Sequence, residues 1–288
     1  MINFKMMCII SNVLFLAHFG DLFSKIQDGV PLYYWQSDKL VNFGDYLSLK
    51  LVERIVGKSV KVCSDQDKQK KLLAIGSILT KASNNDVVWG SGIKRFDRKD
   101  YKFNSLDIRA VRGPITRKFI IDTFNIPCPE VYGDPALLVP YLFPEFKKKK
   151  KPRYEYIIIP HYRKQDQFPQ NKYKNIIYPT EPWDRVIKKI VDSKFVISGS
   201  LHGLIVAEAY GIPARYLRVT DDEPLLKYQD YYYGTNRLKF QFATSVEEAL
   251  RMGGESPFEC DLQKLYAAFP SDLWANLELA KKLGEIRK

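Results

Sequence analysis

Phe195-Val196-Ile197-Ser198-Gly199-Ser200-Leu201-His202-Gly203-Leu204-Ile205-Val206-Ala207-Glu208-Ala209-Tyr210-Gly211-Ile212-Pro213 carries the strongest local pattern in the chain. A short apolar run gives way to a polar turn. A helical pattern follows, capped by Gly211 and stopped by Pro213, so the order is strand, tight turn, helix. A turn of this kind at the carboxyl end of a parallel strand offers free backbone N–H groups and the positive end of a helix dipole to an anion. His202 on the turn is a candidate acid, base or hydrogen-bond donor near neutral pH. A capping or packing histidine is the alternative reading of the same residue.

Outward from this unit the pattern repeats. Tyr156 to Ile159 reads as a preceding strand and Trp183 to Asp192 as the helix that leads into Phe195 to Ile197. Further upstream, from Leu32 to Pro140, the runs Leu72 to Ile75, Val87 to Trp89 and Ile108 to Val111 alternate with helical patterns, the signature of a parallel α/β sheet. Between the two units, Phe143 to Arg153 carries two prolines and the run Lys147 to Lys151, whose charges repel one another. The domain boundary is placed there, giving 1–145 and 146–288. Beyond about Ser245 the chain reads as helices, the last with Leu273, Trp274, Leu277, Ala280 and Leu283 at helical spacing.

At 288 residues, 45% of them hydrophobic, the chain buries a large core and is not intrinsically disordered. Its formal net charge of +12 favours anionic partners: phosphorylated metabolites, nucleic acid or an anionic membrane surface. Cys8, Cys63, Cys128 and Cys260 lie far apart without a CxxC pair, which points to neither a zinc site nor a disulfide framework and fits a reducing cytoplasm. Met6 to Phe19 is apolar but interrupted by Ser11, Asn12 and His18. It is too short to span a bilayer, and it lacks the marks of a secretory signal. A buried first strand and an interfacial segment are its two readings.

Several further turns follow expected strands or open expected helices. Asn42-Phe43-Gly44-Asp45 precedes a helix with Leu47, Leu51, Val52 and Ile55 on one face and Gly57 after its end. Asp45 therefore reads either as an N-cap or as a carboxylate that orients a sugar hydroxyl. Arg112 should emerge at the carboxyl end of the strand Ile108 to Val111, where its planar fork suits a carboxylate or phosphate; a solvated surface arginine is the alternative. Trp89-Gly90-Ser91-Gly92-Ile93-Lys94, Gly133-Asp134-Pro135 and Pro160-His161-Tyr162-Arg163 complete the set, which lines one sheet edge. Aromatics for stacking on a carbohydrate include Trp35, Trp89 and Tyr231 to Tyr233.

Taken in order, NFGD at Asn42, VVWGSGI at Val87, VRGPIT at Val111, YGDPALLVP at Tyr132, IPHYR at Ile159 and ISGSLHGLIVAEAYGIP at Ile197 resemble the polysaccharide pyruvyltransferase family over roughly residues 40 to 220. The resemblance implies an α/β, GT-B-like architecture: two Rossmann-type domains with parallel sheets facing an interdomain cleft, the first on the acceptor side and the second, with its C-terminal helices, on the donor side. It implies phosphoenolpyruvate as donor, no cofactor or metal, and a ketal-linked pyruvate on a hexose of an exopolysaccharide or capsule as product. The acceptor is then a glycan or a lipid-linked oligosaccharide, handled in the cytoplasm with a peripheral contact at the inner face of the membrane, and nucleic acid is not a partner. In related enzymes the donor is held by an Asp of the NxGD-like block, an Arg of the VRG-like block and an Arg-Leu-His run. Here these fall on Asp45, Arg112 and Ser200-Leu201-His202. Ser200 replaces the arginine of some relatives, and Lys94, Arg163 and Arg215 are the candidates to supply its charge. The expected catalytic pair is His202 and Asp45, with Arg112, Ser200, Leu201, Asn42, Ser91, Lys94, His161 and Arg163 binding substrate. A nucleotide-sugar-dependent GT-B glycosyltransferase and a non-catalytic anion-binding protein are the competing readings, since one fold serves several chemistries.

Overall fold

The computed structural model describes residues 29–37, 40–57 and 59–274. It contains two separate parallel sheets. The first has strands β1 (Val30–Tyr33), β2 (Val60–Val62), β3 (Leu72–Leu73), β4 (Val87–Trp89) and β5 (Asp107–Ala110), in the order β2-β1-β3-β4-β5. The second has β6 (Ile157–Ile159), β7 (Val196–Ser198), β8 (Ala214–Leu217) and β9 (Phe242–Ala243), in sequence order. The helices are α1 (Phe43–Val56), α2 (Pro114–Phe124), α3 (Val139–Leu142), α4 (Trp183–Val191), α5 (Leu201–Ala209), α6 (Leu226–Gly234), α7 (Val246–Met252), α8 (Leu262–Ala267) and α9 (Ser271–Trp274).

Strands β4 and β6 are apolar along their whole length because both of their faces are covered, whereas the edge strands β2 and β5 are not wholly buried. Alternation along β1, β4, β6 and β8 sends Val30 and Leu32, Val87 and Trp89, Ile157 and Ile159, and Ala214 and Tyr216 into one central apolar cluster shared by the two sheets. Tyr33, Leu73, Val88 and Ile108 point the other way, into a second cluster with Phe103, Phe119 and Ile120. Ile158, Ile197 and Leu217 face a third, closed by α7 through Val246 and Ala249. A core shared between the sheets fixes their separation, and so the width of whatever lies between their edges.

The expected strands are present within two residues at each end, while the helix expected after NFGD starts earlier, at Phe43, and takes in most of that motif. The sequence reading passed over β1, β2, β8 and β9, which are short or carry a charged residue inside: Lys61 in β2, and in β8 Arg215, which pairs with Glu255 and donates to three backbone carbonyls. The segment 143–153 is irregular, and Lys147 to Lys151 are exposed. It is nevertheless anchored, because Phe143 and Phe146 pack on Trp183 with ring centroids at 5.1 and 5.7 Å. The stretch Met6 to Phe19 and the last helix beyond Trp274 lie outside the described residues. Among the described residues no helix is long and apolar enough to cross a membrane.

Helix α5 is locked in place by a buried ionic cluster. Glu208 near its end accepts from Arg237 Nη1 at 2.9 Å and Nη2 at 2.8 Å, and from the Tyr231 hydroxyl. All three side chains are buried. Removing one partner strands the other charge out of water. Glu208→Ala is expected to lower the unfolding free energy by about 3–5 kcal/mol in urea titrations, and a loss below ~1 kcal/mol contradicts this account of α5.

Candidate active site

One cavity of about 400 Å³ is lined from the carboxyl ends of strands in both sheets. Trp35 follows β1, Gly76 to Ile78 follow β3, Lys94 and Arg95 follow β4, and Arg112 follows β5. From the second sheet, His161 to Arg163 follow β6, Ser200 to His202 follow β7, and Asp222 to Pro224 with Lys227 follow β8. Asn42 and Asp45 enter from the start of α1. This is where open parallel α/β sheets bind ligands, and here two such edges face one space.

Nine of the ten expected site residues, all except Ser91, line this cavity. Ser91 is buried beneath it and donates its hydroxyl to the carbonyl of Gly76 at 2.9 Å, so it shapes the wall. Arg215 is held on the far side of β8 by Glu255 and does not face the cavity. Of the expected stacking aromatics, Trp35 lines it, with Tyr162 5.4 Å away between ring centroids. Trp89 is wholly buried, with its indole N–H on the carbonyl of Leu265, and Tyr231 and Tyr232 are core residues.

The floor is cationic. Arg112 is 1% exposed; its Nε donates to Asp230 at 3.1 Å, Nη1 to the Ser77 hydroxyl at 2.7 Å and Nη2 to the Ile93 carbonyl at 3.2 Å. A guanidinium has five N–H donors, so the fork is oriented while donors remain for a ligand. Lys227 supplies a second cation that the sequence reading missed. Burial lowers its pKa, Glu223 opposes this as its ion-pair partner, and the Arg112 charge adds to the lowering. The third electropositive element is the start of α5. Ser200 occupies the N-cap position without a side-chain cap bond, which leaves the amides of Leu201, His202 and Gly203 without acceptors among the described residues. Lys94, Arg95 and Arg163 stand exposed around the rim.

The groups able to move protons lie between these cations. The N-cap of α1 is Asn42, whose Oδ1 accepts from the Gly44 amide at 3.1 Å, so capping does not account for Asp45. The Asp45 carboxyl is pushed up to about 6 by removal from water, against the pull of His202 and Lys227 and with help from Asp134. His202 lies over Gly44, where a Cβ would sit 2.1 Å from Nδ1. The glycine of the NFGD motif is thus the space that the imidazole occupies. On the rim, burial and the Lys227 charge bring His161 down to about 4, so its ring is neutral at physiological pH despite Glu223 at 3.5 Å.

A carboxyl whose pKa is raised on folding binds its proton more tightly in the folded state. Its stability contribution is therefore lost as pH rises through the window from 3.8 to about 6. Asp45→Asn removes that cost. At neutral pH it is expected to raise the unfolding free energy by on the order of 1–3 kcal/mol, with the difference from wild type vanishing below pH 4; calorimetric melts at both pH values check this.

Over 250 residues the chain is 27% identical to the uncharacterized protein L143 of Acanthamoeba polyphaga mimivirus, covering 80% of this chain and 83% of that one. Over 212 residues it is 29% identical to the succinoglycan biosynthesis protein ExoV of Rhizobium meliloti (strain 1021), covering 69% of this chain and 63% of that one. The solved structure of the uncharacterized protein KP1_0663 from Klebsiella pneumoniae matches 80% of this chain and 98% of its own, with a TM-score of 0.42 and 14% identity. The polysaccharide pyruvyl transferase family matches residues 17–221, a span that holds every cavity-lining motif from NFGD to SLHG. The chain belongs to the polysaccharide pyruvyl transferase family and is a pyruvyltransferase.

Proposed function

We propose that this enzyme takes the pyruvyl group from phosphoenolpyruvate and sets it as a ketal across two hydroxyls of a hexose, of galactose, glucose or mannose type, in a surface polysaccharide or its lipid-linked precursor. The observation that carries the reading is the pairing, in one cavity, of Arg112, Lys227 and the uncapped start of α5 with Asp45 and His202. Phosphoenolpyruvate carries two anionic groups a few atoms apart, and ketal formation at its C2 needs a proton delivered to carbon and protons removed from two hydroxyls. The two sheets are read as the Rossmann-type domains of a GT-B-like arrangement, residues 1–145 on the acceptor side and 146–288 on the donor side. Handling of the acceptor is assigned to the cytoplasmic face of the membrane.

The chemistry balances without a redox step and requires neither a cofactor nor a metal. One sugar hydroxyl adds to C2 of the donor while the methylene carbon gains a proton and becomes a methyl group. The C2–O bond to phosphate breaks with its electron pair on phosphate, and the second hydroxyl closes the ketal. Of the two hydroxyl protons released, one replaces that taken up by carbon and the other leaves on phosphate. Arg112, Lys227 and the free amides of Leu201, His202 and Gly203 neutralise phosphate and carboxylate. His202 serves as general acid or as donor to the phosphate, and Asp45 orients or deprotonates a hydroxyl. Lys227 stands in for the arginine that Ser200 replaces, ahead of the rim residues Lys94 and Arg163.

The purified protein incubated with phosphoenolpyruvate and a panel of galactosides, glucosides and mannosides should release phosphate and add a pyruvyl ketal to one glycoside by mass. His202→Ala should lose roughly 10²–10⁴ in kcat. Lys227→Met should raise KM for the donor about 10–100-fold, the loss of one charge-assisted contact. With Asp45 acting as a carboxylate, kcat/KM should fall as pH drops through about 6, and Asp45→Asn should flatten that limb. Turnover of nucleotide sugars in place of phosphoenolpyruvate defeats the proposal.

A further inference from the structure

Two buried polar atoms face each other behind the site, each without a hydrogen-bond partner: Nε2 of His202 and Oδ2 of Asp134. They are 3.6 Å apart. Asp134 is fully buried and His202 is 8% exposed. An orphaned donor or acceptor inside a protein costs free energy, and two orphans aimed at one another are the exception that calls for a functional reason. The surroundings hold them there. Asp134 opens the one-turn helix Pro135–Leu138, and its other oxygen, Oδ1, accepts from the Ala136 amide at 3.0 Å. His202 sits in the first turn of α5, with its ring over Gly44 and Asp45 nearby.

We propose that Asp134 is the positioning residue for His202, and this rests on the catalytic role of His202 proposed above. The Asp134 carboxylate takes the Nε2–H of the ring, which leaves Nδ1 as the nitrogen that exchanges protons with substrate. In the charged ring, Nε2–H is held by Asp134 and Nδ1–H is presented to the donor. After Nδ1 gives up its proton, the neutral ring keeps its remaining proton on Nε2, and a proton from a sugar hydroxyl restores the charged form. The gap of 3.6 Å is slightly longer than a hydrogen bond, in keeping with catalytic contacts that tighten when ligand enters. Asp134 touches no substrate in this scheme.

Asp134→Asn keeps volume and the cap to Ala136, so the fold should survive. Its kcat should fall about a hundredfold or more, as expected when a histidine loses the carboxylate that fixes its tautomer, while KM for phosphoenolpyruvate stays within about twofold. The double variant Asp134→Asn/His202→Ala should be no slower than His202→Ala alone, because the first residue acts through the second. In the wild-type protein, ¹⁵N spectra of the neutral His202 ring should show the proton on Nε2, and this readout requires no variant to fold. A bare Nε2 in the wild type, or Asp134→Asn turning over at the wild-type rate while His202→Ala is silent, overturns the positioning role. An active His202→Ala overturns the catalytic assignment of His202 itself.

Discussion

Arg112 and Asp230 pair almost wholly buried beneath the cavity, the one at the carboxyl end of β5 in the first sheet, the other on α6 in the second half of the chain. Asp230 also accepts from the Thr116 amide at 2.9 Å and the Thr116 hydroxyl at 2.7 Å, so both of its oxygens are used. The backbone contact is tight enough to demand glycine: a Cβ on Gly113 would lie 1.8 Å from the Asp230 carbonyl oxygen, and one on Gly234 2.3 Å from that of Arg112. A buried ion pair is poor at adding stability but good at refusing alternatives, since a displaced partner leaves a bare charge in the interior. The pair therefore fixes how the two halves meet, and with that the direction in which the Arg112 fork faces the cavity.

The same logic explains which parts of the site were legible in the sequence. A strand, a polar turn and a helix leave a local imprint, so Ser200-Leu201-His202, Arg112 and His161 could be placed at strand ends from composition and spacing alone. Roles that depend on a distant partner leave none. Asp134 reads as an ordinary turn residue until α5 brings His202 beside it, and Asp230 reads as one polar position in a tyrosine-rich helix until Arg112 arrives. Lys227 escaped for a different reason. Arg215 interrupts the apolar run of β8, so the strand went unread and the loop at its carboxyl end was not recognised as a site edge. For Asp45 the local sequence supports two readings, an N-cap and a carboxylate in the site, and the structure gives the cap to Asn42.

Within the cavity, charge is graded by depth. Arg112 and Lys227 lie inward, each with an acidic partner, and Lys94, Arg95 and Arg163 stand exposed at the mouth. An approaching anion meets the exposed charges first, where attraction speeds encounter, and then the buried ones, where low dielectric makes each contact stronger. The neutral His161 on the rim adds a polar contact without adding to the repulsion among these cations.

The ion pairs that hold the fold, Arg112 with Asp230, Lys71 with Asp86 and Arg237 with Glu208, are sealed from solvent. Dissolved salt screens only charges it can surround. Raising ionic strength therefore weakens the capture of anionic substrate at the mouth long before it loosens the scaffold. Substrate capture is therefore expected to be more sensitive to salt than the fold is, because the charges that meet the ligand first are the exposed ones.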